Sequence, residues 1–139
     1  MKKRITALGL LWCLSAVMLQ AARVDTVLVR SVAMNKDVKV VYVLPDKAIG
    51  KQACPVVYLL HGYGGNARSW VQLKPELPQM ADEKGIIFVC PDGKNSWYWD
   101  SPENPAYRYE TFVTSELVKY TDGNYATIPD RKARAISGL

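Results

Sequence analysis

An α/β fold built around a largely parallel sheet is what this sequence predicts, and three observations carry the prediction. Three short runs, "PVVYLL", "IIFVC" and "ARAISGL", are apolar without alternation, which suits strands covered on both faces. Segments with helical spacing lie between them, and strands alternating with helices imply βαβ units. Ahead of them stand two valine-rich, partly alternating runs that read as a β-hairpin.

The elements follow in order. Val24 to Met34 and Asp37 to Leu44 form the hairpin, joined by Asn35 and Lys36, and Val38, Val40, Tyr42 and Leu44 share one face of the second strand. Pro45-Asp46 ends it, and Lys47 to Ala53 reads as a loop leading to the first buried strand. A helix is predicted from Pro78 to Lys84, with proline in its first turn and Gly85 as the stop. "IIFVC" is the next strand, followed by an aromatic, proline-containing loop whose ~15 residues exceed the usual connection. Tyr109, Phe112, Val113, Leu117 and Tyr120 recur at helical spacing from Arg108 to Tyr120, with "TDGN" as the stop and Glu116 on a solvated margin. "ARAISGL" supplies the third buried strand.

The 139 residues, 49% of them hydrophobic, suit one domain. The formal charge of +5 sits mostly in Lys2, Lys3 and Arg4, and without residues 1–22 the balance is 15 basic against 13 acidic side chains. There is no basic stripe, so a nucleic-acid partner is not expected. Residues 1–22 form a charged segment, an apolar run from Ile5 to Leu19 and small residues: the pattern of a secretory signal peptide, with cleavage near Ala21-Ala22. The apolar run falls short of the ~20 residues of a spanning helix, although an uncleaved anchor is the alternative. Trp12 is too bulky to precede a lipidated Cys13. The chain after residue 22 is therefore expected to be secreted or periplasmic, without a stable membrane anchor. Cys54 and Cys90 lie at opposite ends of neighbouring strands, on the order of 15 Å apart at ~3.3 Å per residue, beyond the ~7 Å limit of a disulfide. Two free, buried thiols are expected.

Two stretches could carry chemistry. "LLHGYGG", Leu59 to Gly65, leaves a buried strand through glycines, which leave backbone amides unshielded as an oxyanion hole requires. The same glycines also suit an ordinary strand-to-helix turn. His61 is the only histidine, and a ring bonded to nearby backbone is favoured over a general base. One histidine without clustered partners makes a poor zinc site. The loop "DGKNSWYWDSP" gathers Asp92, Ser96, Trp97, Tyr98, Trp99 and Asp100 beyond the end of a strand, where ligands bind in open α/β sheets. A substrate wall and a packed aromatic plug are both compatible with it. Asp92 is a weak candidate acid, since "PDG" is a common turn.

"VYVLP", "PVVYLLHGYGGNARSW", "FVCPDGKNSWYWDSP", "YETFVTSELVKYTDGNY" and "RKARAISGL" together closely resemble, in register, the N-terminal half of the esterase D-like group of α/β-hydrolases. That group includes S-formylglutathione hydrolases, feruloyl and acetyl xylan esterases, and mycolyltransferases. The resemblance covers about residues 25–139 and implies the N-terminal portion of an α/β-hydrolase fold, truncated. The family continues its last strand as G-L-S-M-G-G, so the nucleophilic serine is expected just after Leu139, with the acid and catalytic histidine further on. The resemblance implies an oxyanion hole at Gly62 and the Tyr63 amide, substrate contacts from His61, Gly64, Ser96, Trp97 and Asp100, and no metal or organic cofactor. It also places "ARAISGL" centrally in the sheet, so ending there would leave an apolar edge prone to aggregation. The expected activity of the intact relative is serine-dependent cleavage of a small-molecule or carbohydrate-linked ester, with the fragment itself inactive. A carbohydrate-binding or non-catalytic module, an acyltransferase and a peptidase of the same fold are the alternatives.

Overall fold

The computed structural model describes residues 22–139, so the expected signal peptide, apart from Ala22, lies outside the described residues. β1 (Arg23–Ser31) and β2 (Lys36–Leu44) form the antiparallel hairpin. α1 (Asp46–Ile49) precedes β3 (Val56–Leu60). Next come α2 (Ser69–Leu73), α3 (Leu77–Lys84) and β4 (Ile87–Pro91). One longer helix, α4, joins Tyr109–Thr111, a π-helical stretch Phe112–Glu116, and Leu117–Asn124. β5 (Arg134–Gly138) is the last element.

The sheet has the order β1-β2-β4-β3-β5, with β3 parallel to both β4 and β5 and with β2 antiparallel to β4. This mixed α/β sheet is the predicted class. β2 lies inside it: Val38, Val40, Tyr42 and Leu44 meet α4 on one face, while Val41 and Val43 meet Leu77 and Ala81 of α3 on the other. Each such buried aliphatic side chain contributes roughly 1.5–3 kcal/mol, and the β-branched residues fit the pleated surface. Tyr42 stacks on Tyr125 at 4.2 Å and bonds Thr121 Oγ1 at 2.8 Å, so its buried hydroxyl has a partner.

Several expectations are corrected. The hairpin connection is Val32 to Asn35, not Asn35-Lys36: the Asn35 amide bonds the Val32 carbonyl, and Asn35 takes the left-handed φ of 52°. That turn is fastened by Glu116, which accepts from Ser31 Oγ at 2.6 Å and from the Ala33 amide at 2.8 Å, so Glu116 is an anchor and not a solvated margin. The first residues after Pro45 form one helical turn instead of a loop, and α2 was not predicted. "TDGN" does not stop α4 before Asn124. β5, read as a buried strand by its apolar run but as an apolar edge where the chain ends, lies at the sheet edge, with Ile136 60% exposed. Gly85, by contrast, closes α3 at φ 63°, the left-handed conformation glycine enters without penalty. Cys54 and Cys90 are free and buried in separate core clusters, and burial pushes the Cys90 thiol up to about 12.

Candidate active site

β3 delivers the chain into the turn His61 to Gly65 at the carboxyl end of the sheet, with β4 and β5 ending beside it. Three of the five amides in that turn are occupied. His61 N–H donates to Tyr98 Oη at 3.1 Å, Gly64 N–H to Asn95 Oδ1 at 2.8 Å, and Gly65 N–H to the Gly62 carbonyl at 3.0 Å. Among the described residues the two amides between them, those of Gly62 and Tyr63, make no hydrogen bond. Gly64 allows the bend with φ 77°. Gly65 is required for space, because a Cβ there would stand 2.8 Å from Ser69 Oγ and 2.9 Å from His61 Nδ1. The Leu139 amide reaches the Leu60 carbonyl at 3.3 Å, which brings the end of β5 against Gly62. Leu60, Gly62, Tyr63, Asn95, Trp97 and Leu139 contribute to the lining of a cleft of about 160 Å³.

The loop after β4 forms the opposite wall. His61 is buried beneath the turn; its Nδ1 lies 2.7 Å from the Gly62 carbonyl, and its Nε2 accepts the Gly93 amide at 3.0 Å. That pair of contacts requires the proton on Nδ1. Asp92 Oδ1 stands 3.6 Å from Nε2, within ion-pair range, but a nitrogen already accepting a hydrogen bond presents no proton to it. Asp92 instead accepts from the Lys94 amide and ammonium. Lys94, Trp97 and Tyr98 all take left-handed φ values of 50–54°, each a strain of roughly 1–2 kcal/mol for a residue with a Cβ. The consecutive pair turns Trp97 outward, where it stacks on Tyr63 at 5.6 Å, and Tyr98 inward over Gly93. Burial raises the Tyr98 hydroxyl well above its ordinary range, keeping it neutral.

Residues 31–139 match the model of a family described as "Putative esterase". The chain belongs to this esterase family. It is 26% identical over 114 residues to an acetyl esterase of Caldicellulosiruptor saccharolyticus, covering 76% of this chain and 42% of that one. An S-formylglutathione hydrolase from Agrobacterium tumefaciens superposes with a TM-score of 0.73 at 26% identity, covering 85% of this chain and 49% of the other. A ferulic acid esterase gives 0.73 at 27%, covering 86% and 51%. The chain thus spans about half the length of these relatives.

Within this esterase-family fold, the turn and the loop bring Gly62, Tyr63 and Trp97 together around the cleft, while Gly64 does not line it and gives its amide to Asn95. His61 reaches the same place with both ring nitrogens engaged by backbone. Ser96 does not face the cleft: it is buried under the loop, donating to the Gly93 carbonyl at 2.5 Å and accepting the Tyr98 amide. Asp100 also points elsewhere, accepting from the Thr111 amide at 3.0 Å and from Thr111 Oγ1 at 2.5 Å near the start of α4. Burial alone would raise its carboxyl, but the Thr111 contacts outweigh that and hold it below the ordinary value. Among the described residues no group of three or more His, Cys, Asp and Glu side chains is placed to hold a metal. Sequence reasoning missed Asn95 and Gly93 as site-building residues. A glycine two residues past a buried strand was the available signal for Gly93; Asn95 offered none.

Proposed function

We propose that this chain supplies the oxyanion-binding half of a secreted serine-type carboxylic ester hydrolase. The observation that carries the reading is the pair of adjacent amides, Gly62 and Tyr63, left without an acceptor where β3 ends and β5 arrives. In the proposed reaction the hydroxyl of a serine following Leu139 attacks the ester carbonyl carbon. The carbonyl π electrons move onto oxygen, and the Tyr63 N–H stabilises that charge with the amide after the serine as second donor. A histidine from the remaining half of the protein takes the serine proton and gives it to the alcohol as the tetrahedral adduct collapses to an acyl-serine; water, deprotonated by the same histidine, then attacks the acyl carbon and releases the acid and the free serine. One such donor contributes about 3 kcal/mol to lowering the barrier. His61 cannot serve as this base, since neither ring nitrogen is free. The names of the relatives, an acetyl esterase and a ferulic acid esterase among them, favour small-molecule acyl esters as substrates, with carbohydrate-linked esters expected from the resemblance alone, and the leader supports export to the periplasm or medium.

Activity-based labelling tests this. A protein carrying the sequence through and past Leu139 is expected to react with a fluorophosphonate at the residue after Leu139, and the 139-residue chain to leave p-nitrophenyl acetate unhydrolysed. Labelling at another serine, or turnover by the 139-residue chain above a Gly62-substituted control, overturns the reading. A carbohydrate-binding role is the second reading, favoured by the Tyr63–Trp97 stack, residues 72% and 74% exposed. It predicts retention on xylan without any labelling.

A further inference from the structure

The amides at Gly62 and Tyr63 are useful as anion donors only if the turn holds them in one direction, and the turn itself has few means of doing so. It is short, half exposed, and contains three glycines. Besides the Gly65 amide on the Gly62 carbonyl, its fixed points come from the loop after β4. Tyr98 Oη accepts the His61 amide and donates to the Pro91 carbonyl at 3.4 Å. The His61 ring, edge-on to Tyr98 at 5.6 Å, ties the Gly62 carbonyl to the Gly93 amide. Asn95 Oδ1 holds the Gly64 amide from the other side of Tyr63. Gly93 makes room for this, since a Cβ there would lie 2.3 Å from the Tyr98 ring.

We propose that His61, Tyr98 and Asn95 are positioning residues, a clasp between the two loops that aims the Tyr63 amide. Resting on the ester-hydrolase reading above, this extends it from the donor to the groups that orient the donor. The carbonyl of Gly62 belongs to the peptide unit whose N–H is that of Tyr63, so a bond from His61 Nδ1 to that oxygen fixes the plane in which the Tyr63 N–H lies. Tyr98 then fixes His61 at both its amide and its ring. Two successive left-handed residues, Trp97 and Tyr98, hold the hydroxyl at this place, the kind of strained backbone that persists where surrounding structure determines it.

The test needs no ester. Because His61 is the only histidine in the chain, 15N-histidine labelling gives one imidazole signature. A neutral ring protonated on Nδ1 is expected, and a ring protonated on Nε2 overturns the clasp. Tyr98→Phe keeps the ring over Gly93 and removes the hydroxyl. Amide exchange at His61, and at Gly65, whose N–H is bonded to the Gly62 carbonyl, is expected to quicken about fivefold, the effect of losing one neutral hydrogen bond, while exchange in β2 is unchanged. Dimethylphosphinate, a tetrahedral anion, is expected to shift the Tyr63 amide resonance in the parent chain and to bind about fivefold more weakly to Tyr98→Phe. If Tyr98→Phe does not fold, Asn95→Ala, a surface change, is read at Gly64 and Gly65 in the same way. Unchanged exchange in a folded variant refutes the positioning role. A normal tautomer and quickened exchange with no phosphinate shift in the parent would leave the clasp standing and count against Tyr63 as the oxyanion donor.

Discussion

Two loops leave neighbouring parallel strands at the same end of the sheet, and they solve the same problem differently. After β3 the chain bends through Gly62, Gly64 and Gly65, with one left-handed residue, Gly64, that carries no side chain to clash. After β4 the bend uses Lys94, Trp97 and Tyr98 in left-handed conformations, all bearing a Cβ. The first loop is cheap to form and poorly fixed; the second is strained and densely bonded inside, through Ser96, Gly93 and Asp92. Rigidity in the second is what gives the first its shape. The arrangement separates the peptide that must lie bare from the side chains that hold it.

Four substitutions sharpen or break that contrast. Gly93→Ala has the largest expected effect: the new methyl overlaps the Tyr98 ring, and a loss of about 3 kcal/mol is expected in urea denaturation, near the upper end for overpacking. Gly65→Ala should lose less, about 1–2 kcal/mol, because the Ser69 hydroxyl can rotate away even though the His61 ring cannot. Equal losses at the two glycines would remove the distinction between a soft and a stiff loop. Asp100→Ala should lose about 1 kcal/mol near neutral pH, as for a helix cap, since the carboxylate satisfies the Thr111 amide in the first turn of α4. The Asp100 carboxyl is lowered in the folded state, so its contribution is present above its unfolded value of about 3.9 and fades as pH falls through its folded value. Thermal melts of parent and variant should therefore converge in acid; divergence there would contradict the direction of the shift. Trp97→Gly should be nearly neutral, within about 0.5 kcal/mol. Relief of roughly 1–2 kcal/mol of left-handed strain is offset by the lost ring stack of about 0.5–1.5 and the greater freedom of unfolded glycine.

The parts of the fold legible from sequence were those written in period and punctuation. β2, β3 and β4 showed as valine-rich or unbroken apolar runs, and Gly85 marked the end of α3 because a left-handed stop has few other solutions. β5 looked equally buried, yet apolarity reports what a strand can tolerate and not where it stands in a sheet. Its edge position comes from pairing order, which no local pattern encodes. In the site, the glycines at 62, 64 and 65 announced an open turn, and the lone histidine was legible as a backbone-bonded ring. Ser96 and Asp100 carried hydroxyl and carboxylate chemistry that suited a pocket, but both are spent on neighbouring backbone. Ser96 sits inside an Asx-rich bend, and Asp100 lies 11 residues before the amide it satisfies. Asn95 was invisible because its partner, Gly64, lies 31 positions away.

The widened turn at Phe112–Glu116 marks where this protein can lose one residue inside a helix. A single extra residue is accommodated there without twisting the rest of the helix out of phase, so Phe112 and Leu117 both stay packed while the Glu116 carboxylate reaches the hairpin. Deleting the exposed Thr114 would restore ordinary winding and leave Leu117 and Thr121 facing the core. Removing one residue from the regular turns of Leu117–Asn124 would instead swing everything downstream by about 100°. A one-residue gap should therefore be tolerated in the widened turn and refused beyond it.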